Sequence, residues 1–274
     1  MEWVMPCCGR GSDSHQMVLN HSSDQRPSRA PRQVLTGVLA PMLGSLLLAA
    51  CAVGVGVPIT VWPQTSPQPQ APPPSPLDQQ MLLLQLAEAD LQWTPRAEPL
   101  ANGGYRYVYK RRAGEPQLDL AGVRALIANP PSYGRERQAI GQLLEVLQMA
   151  GVRVSIAATR LGGAAAEWDP RARSLRIQPT VVEKGTLEFA RVLNHEAIHV
   201  AQSCSNKGLG SEPLPLGLPT RLPGHLVSVL NDPIYRTAPE RVRQLEREAF
   251  ANQDRLNLGA QLVQAHCRGP QAAG

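Results

Sequence analysis

The chain has 274 residues, enough for one catalytic domain with accessory segments and short for two full domains. Its 27 Lys+Arg stand against 22 Asp+Glu, and the arginines are scattered with no basic run interleaved with aromatics, which excludes a nucleic-acid footprint. Phe, Tyr and Trp make up only 4% of the chain, so a core has to rest on Leu, Val, Ile and Ala.

Residues 1–33 are polar and read as a disordered tail, with Cys7 and Cys8 as idle reduced thiols. Residues 34–62 carry no charge, a stretch longer than the roughly 20 apolar residues that span a bilayer. Arg26, Arg29 and Arg32 precede it, and no charge follows until Asp78. The positive-inside rule then keeps residues 1–33 in the cytoplasm and exports the rest. An uncleaved single-pass signal anchor is the favoured reading. The other is a lipoprotein signal, because "LAAC", Leu48 to Cys51, resembles a lipobox that would place lipid on Cys51. The chain stays apolar for about ten more residues past Cys51, which argues for the anchor. Both readings tether the C-terminal part to a membrane on the periplasmic side. Residues 63–77 form a proline-rich linker, extended and without a fold of its own. The remaining 78–274 is one extracytoplasmic domain.

Within that domain, the stretch from Asp78 to Trp93 predicts a short amphipathic helix. Asn102-Gly103-Gly104 is a turn signal, and "YRYVYK", Tyr105 to Lys110, alternates aromatic and basic as an exposed strand does. "LDLAGVRALIAN" and "GRERQAIGQLLEVLQMAG" predict two helices, the second closed by Gly151. A strand starts at Val152. "AAEWDPRARSLRIQP" predicts a hairpin whose turn is Asp169-Pro170-Arg171-Ala172, with Asp and Pro where a type I turn takes them. From about Thr186 to Ser203, Phe189, Val192, Leu193, Glu196 and Val200 recur at helical steps. Residues 205–236 are rich in loop and proline. A last long helix begins near Pro239, with proline in its first turn, and runs to about His266. The order predicts an α+β fold.

His195 and His199 lie four apart on the predicted helix, so both imidazoles leave one face and can hold one Zn²⁺. Glu196 adjoins the first and can reach a metal-bound water as general base, the H-E-x-x-H arrangement. A catalytic zinc takes three protein ligands and keeps the fourth position open. The longer pattern with Gly and a third His is excluded, because positions 202 and 205 hold Gln202 and Ser205. His225 and His266 are outside candidates.

"QLEREAFANQ", Gln244 to Gln253, resembles the second ligand helix of the gluzincin metallopeptidases, the thermolysin-like group, in which a distant Glu opening an E-x-x-x-D pattern completes the metal site. The resemblance covers two short helices and the upstream hairpin. It implies a zincin-like fold: a small mixed sheet, a motif helix and a C-terminal ligand helix. It implies metal ligands His195, His199 and Glu248, because Glu248-Ala249-Phe250-Ala251-Asn252 matches the pattern with Asn252 replacing Asp. Glu246 is the alternative third ligand, with Phe250 where the polar residue belongs. The two glutamates are about 200° apart around the helix, so only one can face the metal.

The function implied is a membrane-anchored zinc metallopeptidase acting on peptide or protein substrates. Its substrate would pair with an edge of the hairpin, and Tyr235 or His225 would help at the oxyanion. The alternative is a non-hydrolytic envelope module in which zinc ties two helices together; a closed site would need a fourth ligand, with His225 as the source. Cys204 and Cys267 are the cysteines of the exported domain. An oxidising compartment and zinc-joined helices predict a disulfide between them.

Overall fold

A computed structural model describes residues 3–6, 17–21, 77–112, 115–160 and 163–267. The predicted span 34–62 and the thiols of Cys7, Cys8 and Cys51 lie outside these residues. Among the described residues no helix is long and apolar enough to cross a membrane.

In chain order the elements are β1 Trp3–Pro6, β2 Met17–His21, α1 Gln79–Asp90, β3 Arg96–Pro99, β4 Tyr105–Tyr109, α2 Leu120–Ala128, α3 Gly134–Met149, β5 Arg153–Ile156, β6 Ala164–Asp169, β7 Ser174–Ile177, α4 Pro179–Glu183, α5 Thr186–Cys204, α6 Pro233–Arg236, α7 Glu240–Asn252 and α8 Leu258–His266. The fold is α+β, with two small sheets. One has the order β1-β6-β7-β5, in which β5 runs parallel to β7 and the other pairs are antiparallel. The other is antiparallel with the order β2-β4-β3.

The predicted hairpin is β6–β7. The Asp169 carboxylate accepts from Ala172 N at 3.0 Å, holding the turn that Asp and Pro encode. Strand β4 is exposed at Tyr105 and Arg106, but Tyr107, Val108 and Tyr109 are buried. The two tyrosines pack with Val123 of α2 in a small core of their own.

Strands β1 and β2 fall in the stretch that the sequence assigns to a tail beyond a membrane. A span over residues 34–62 would put them on the opposite side from β6 and β4. That topology and these two pairings exclude one another.

Helix α5 is the centre of the main core. Its apolar residues Phe189, Val192, Leu193, Ala197, Ile198, Val200 and Ala201 are all buried, and α1, α3, α4, α7, α8 and β6 pack around it. The sequence predicts a helix here from residues recurring at helical steps; the structure buries its polar residues from Asn194 to Ser203 as well. Its N-terminus is capped from outside. Gly185, at φ 86, has no side chain to offer, and Asp90 at the end of α1 accepts from Thr186 N at 2.8 Å and from Thr186 Oγ1 at 2.6 Å. A Cβ on Gly185 would meet Asp90 Oδ1 at 2.5 Å, so the cap requires glycine. Arg137 of α3 donates to the same carboxylate at 2.9 Å.

The single long C-terminal helix that the sequence predicts is two helices. Asn194 of α5 is the cause. Its Nδ2 donates to Gln253 O at 2.9 Å and Arg255 O at 3.1 Å, and its Oδ1 accepts from Gly259 N at 2.7 Å. These bonds take up the carbonyls that end α7 and a free N–H that starts α8, so the chain turns at Asn257, which has φ 68. Helix α8 then crosses α5 closely at Gly259, where a Cβ would sit 2.8 Å from Ala197 Cβ.

Cys204, the last residue of α5, is bonded to Cys267, just past α8, with Cα atoms 5.0 Å apart. The bridge closes a loop of sequence separation 63 that contains both α7 and α8. In the chain-entropy account a closure of that length stabilises by about 4 kcal/mol. Replacing both cysteines with serine should lower the denaturant midpoint of the full chain accordingly. An unchanged midpoint would mean that packing of α8 on α5 alone sets stability.

Candidate metal centre

The motif helix places His195 and His199 one turn apart, both with no exposed surface. Their Nε2 atoms face each other at 3.1 Å. The third member of the group is Glu246 of α7, with Oε2 3.3 Å from His195 Nε2 and Oε1 3.5 Å from His199 Nε2. These three residues form a buried group that could hold a metal ion, and no other such group occurs among the described residues.

Two imidazole nitrogens and one carboxylate are a donor set suited to zinc. Spacing is the more demanding test. Four ligands arranged tetrahedrally at zinc–nitrogen or zinc–oxygen distances of about 2.0–2.1 Å lie about 3.3 Å from one another. The 3.1 Å between the two Nε2 atoms is close to that edge, and the carboxylate straddles the pair, with Oε2 3.3 Å from one nitrogen and Oε1 3.5 Å from the other. The residues present fit the ion.

Glu248, the ligand favoured from the sequence, is not in this group. It is equally buried, but on the opposite side of α7, where its carboxylate accepts from Leu216 N at 2.8 Å, Gly217 N at 2.8 Å and Leu218 N at 3.1 Å. The helical rotation that separates the two glutamates is as expected; the assignment between them is reversed. The pattern misleads because Phe250, standing where a polar residue would orient a histidine, does its work by contact. Its ring meets the His195 ring edge-on at 4.4 Å between centroids and also packs on buried Tyr235. Asn252 orients neither histidine. Its Nδ2 donates to Pro219 O and Glu248 O, each at 2.8 Å.

The polar partner of a histidine is instead Gln202, whose Oε1 lies 2.7 Å from His199 Nδ1. Its position three residues after His199 places it on the adjoining turn of the same helix face, a spacing that was readable in the sequence. His225 and His266 are exposed and stand outside the group. Tyr235 is buried, and its ring packs on Phe250 beside the site.

Glu196 has no exposed surface, and its carboxyl is sparsely hydrogen-bonded: neither oxygen has a partner at full hydrogen-bond geometry, and the Trp168 backbone offers a weaker donor. Burial pushes its pKa up to about 8, against the pull of His199. Burial would raise Glu246 too, but His199 and His195 outweigh it and hold the carboxyl at about 2. His199 shows the reverse balance: burial lowers it, the Glu246 carboxylate overrides that, and the imidazole is raised to about 9. His195 is lowered, chiefly by burial. The protein groups alone therefore favour a protonated His199 paired with an ionised Glu246.

The hairpin is fixed to this helix. Trp168 of β6 donates through Nε1 to Ser203 Oγ at 2.9 Å, and that hydroxyl donates to His199 O at 3.1 Å. Strand β1 lies along the other edge of β6 and against α5.

Comparison of the chain with protein-family models, with curated proteins and with solved structures gave no match.

The raised groups make a pH prediction. A group whose folded pKa exceeds its unfolded value contributes stability that is lost as pH rises through the folded value. For His199 that window runs from about 6.5 to about 9, and Glu196 adds a loss in the same direction from about 4.5 to about 8. Glu246 acts at the other end, losing its contribution as pH falls from about 4.5 to about 2. The thermal midpoint of chelator-treated protein should fall between pH 6.5 and 9. Added Zn²⁺ should remove the fall, since a metal ligand has to be deprotonated. A midpoint that is flat over this range without metal would contradict the buried ion pair.

Proposed function

We propose that the chain is a membrane-tethered zinc metallopeptidase resembling the gluzincins. The observation that carries the reading is the buried, closely spaced His195–His199–Glu246 group with the sparsely hydrogen-bonded carboxyl of Glu196 on the next residue of the same helix. A buried carboxyl with so little hydrogen bonding is costly and calls for a function.

In this reading His195, His199 and Glu246 hold Zn²⁺, which would supply a Lewis acid that acidifies water and polarises a carbonyl. Glu196 accepts the proton of the attacking water and passes it to the leaving amine. Gln202 orients His199, and Phe250 keeps His195 in place. An extended peptide would pair with the outer edge of β6, the edge that β1 occupies. A single-pass anchor over residues 34–62, with residues 1–33 in the cytoplasm, withdraws β1 and leaves that edge open on the periplasmic side.

One observation favours a second reading. All four polar groups of the site are buried, His195, Glu196 and His199 completely and Glu246 to 1% exposure. A non-hydrolytic envelope module, with the metal tying α5 to α7, needs no access for substrate. Such a closed site would take a fourth protein ligand, and among the described residues the group has three.

Glu196→Gln separates the two. The amide cannot accept a proton, so the variant should keep Zn²⁺ and fold but lose peptide hydrolysis by at least about 100-fold. Cleavage of casein or a quenched peptide by the metal-loaded full chain measures this. Unchanged turnover, or no turnover in the wild type, would remove the peptidase reading. Topology is checked separately: a reporter fused after Gly274 should be active only outside the cytoplasm. A cytoplasmic signal would overturn both anchor and lipoprotein and leave β1 free to stay on β6.

A further inference from the structure

Gln202 is held at both ends of its amide. Nε2 donates to Glu248 Oε2 at 3.0 Å and is 3.3 Å from Leu245 O. A carboxylate and a carbonyl are acceptors only, so the amide cannot turn over without setting its own oxygen against them. Oε1 therefore faces His199 Nδ1 at 2.7 Å, and that nitrogen carries the proton. Once neutral, as a metal ligand has to be, an imidazole with its proton on Nδ1 has its lone pair on Nε2. Nε2 is the atom turned toward His195 and Glu246.

Glu248 is held in turn. Oε2 accepts from Leu216 N as well as from Gln202, and Oε1 accepts from Gly217 N and Leu218 N. Four donors converge on one carboxylate that is 1% exposed. Three of them are consecutive backbone N–H groups of a segment between Pro215 and Pro219 that has no helix or strand of its own. The carboxylate is what those N–H groups have in place of secondary structure. The hydrogen-bonded chain runs from the segment through Glu248 and Gln202 to a candidate metal ligand.

We infer that Glu248 and Gln202 are positioning residues that set the His199 tautomer, and that they thereby couple order in the segment 216–218 to metal affinity. The inference rests on reading His195, His199 and Glu246 as a metal site; it does not require hydrolysis. Coupling between two sites is reciprocal, so metal bound at His199 tightens the segment by the same factor that an ordered segment raises metal affinity.

Two measurements on the full chain in detergent test this. Zn²⁺ affinity is read by competition with a chromophoric chelator, and amide hydrogen exchange is followed at Leu216, Gly217 and Leu218 with and without Zn²⁺. In the wild type, Zn²⁺ should slow exchange at these three amides. Gln202→Met keeps the length of the side chain and removes its amide. It should weaken Zn²⁺ binding about 10–100-fold and abolish the effect of Zn²⁺ on the segment. Glu248→Gln puts an amide donor among four donors; it should weaken binding in the same direction and speed exchange at the segment. Glu246→Ala, which removes a ligand, should weaken binding more than either. If Gln202→Met does not fold, Glu248→Gln decides by the same measurements. Wild-type affinity in the folded variants, or wild-type exchange at 216–218 that ignores Zn²⁺, overturns the coupling alone. A wild type that binds no Zn²⁺ overturns the coupling and the metal reading together.

Discussion

The burial of α5 on every side is the constraint from which the rest follows. A central helix made only of apolar residues would need nothing further. This one carries Asn194, His195, Glu196, His199, Gln202 and Ser203 into the interior, and an unpaired polar group there costs on the order of 1–3 kcal/mol. The surrounding elements are placed to meet that demand. Asn194 ends α7 and starts α8, Ser203 receives Trp168 of β6, Gln202 joins His199 to Glu248, and Glu246 faces both imidazoles. Demand is least well met at Glu196 and at Nδ1 of His195, and that shortfall on neighbouring residues marks this stretch of the helix for chemistry.

Helix α7 serves two demands from opposite faces. Within a single turn, one side brings Glu246 to the histidines and the other sends Glu248 to the segment 216–218. Both carboxylates are buried, which is affordable only because each has dedicated partners. Removing either would leave charges or N–H groups stranded. The disulfide from Cys204 to Cys267 closes the chain around this arrangement, keeping the end of α5 beside the end of α8 while α7 lies between them in sequence.

A buried metal site can serve chemistry or hold elements together. Three candidate ligands and an adjoining, sparsely hydrogen-bonded carboxyl point to chemistry; complete burial points to a tie. Strand β1 stands at the place where the two readings diverge, because it covers the β6 edge that a peptide would use. Whether that strand and β6 lie on the same side of a membrane is thus a functional matter as well as a topological one.

The sequence by itself determined the parts that depend on local spacing. His195 and His199 share a face because 3.6 residues make a turn, and Glu246 and Glu248 diverge for the same reason. The hairpin turn at Asp169 and the cap at Gly151 are likewise local, set by residues that favour those dihedrals. The cysteine pair was legible from count, because Cys204 and Cys267 are the cysteines that follow Cys51. What the sequence did not contain was which side of α7 faces α5, because both glutamates lie on buried faces and periodicity distinguishes only buried from exposed. Nor could it show the break between α7 and α8, since the side chain that makes it, Asn194, is some sixty residues away. Only the tertiary structure, by bringing distant hydrogen-bond partners to each end and face of a helix, decided those.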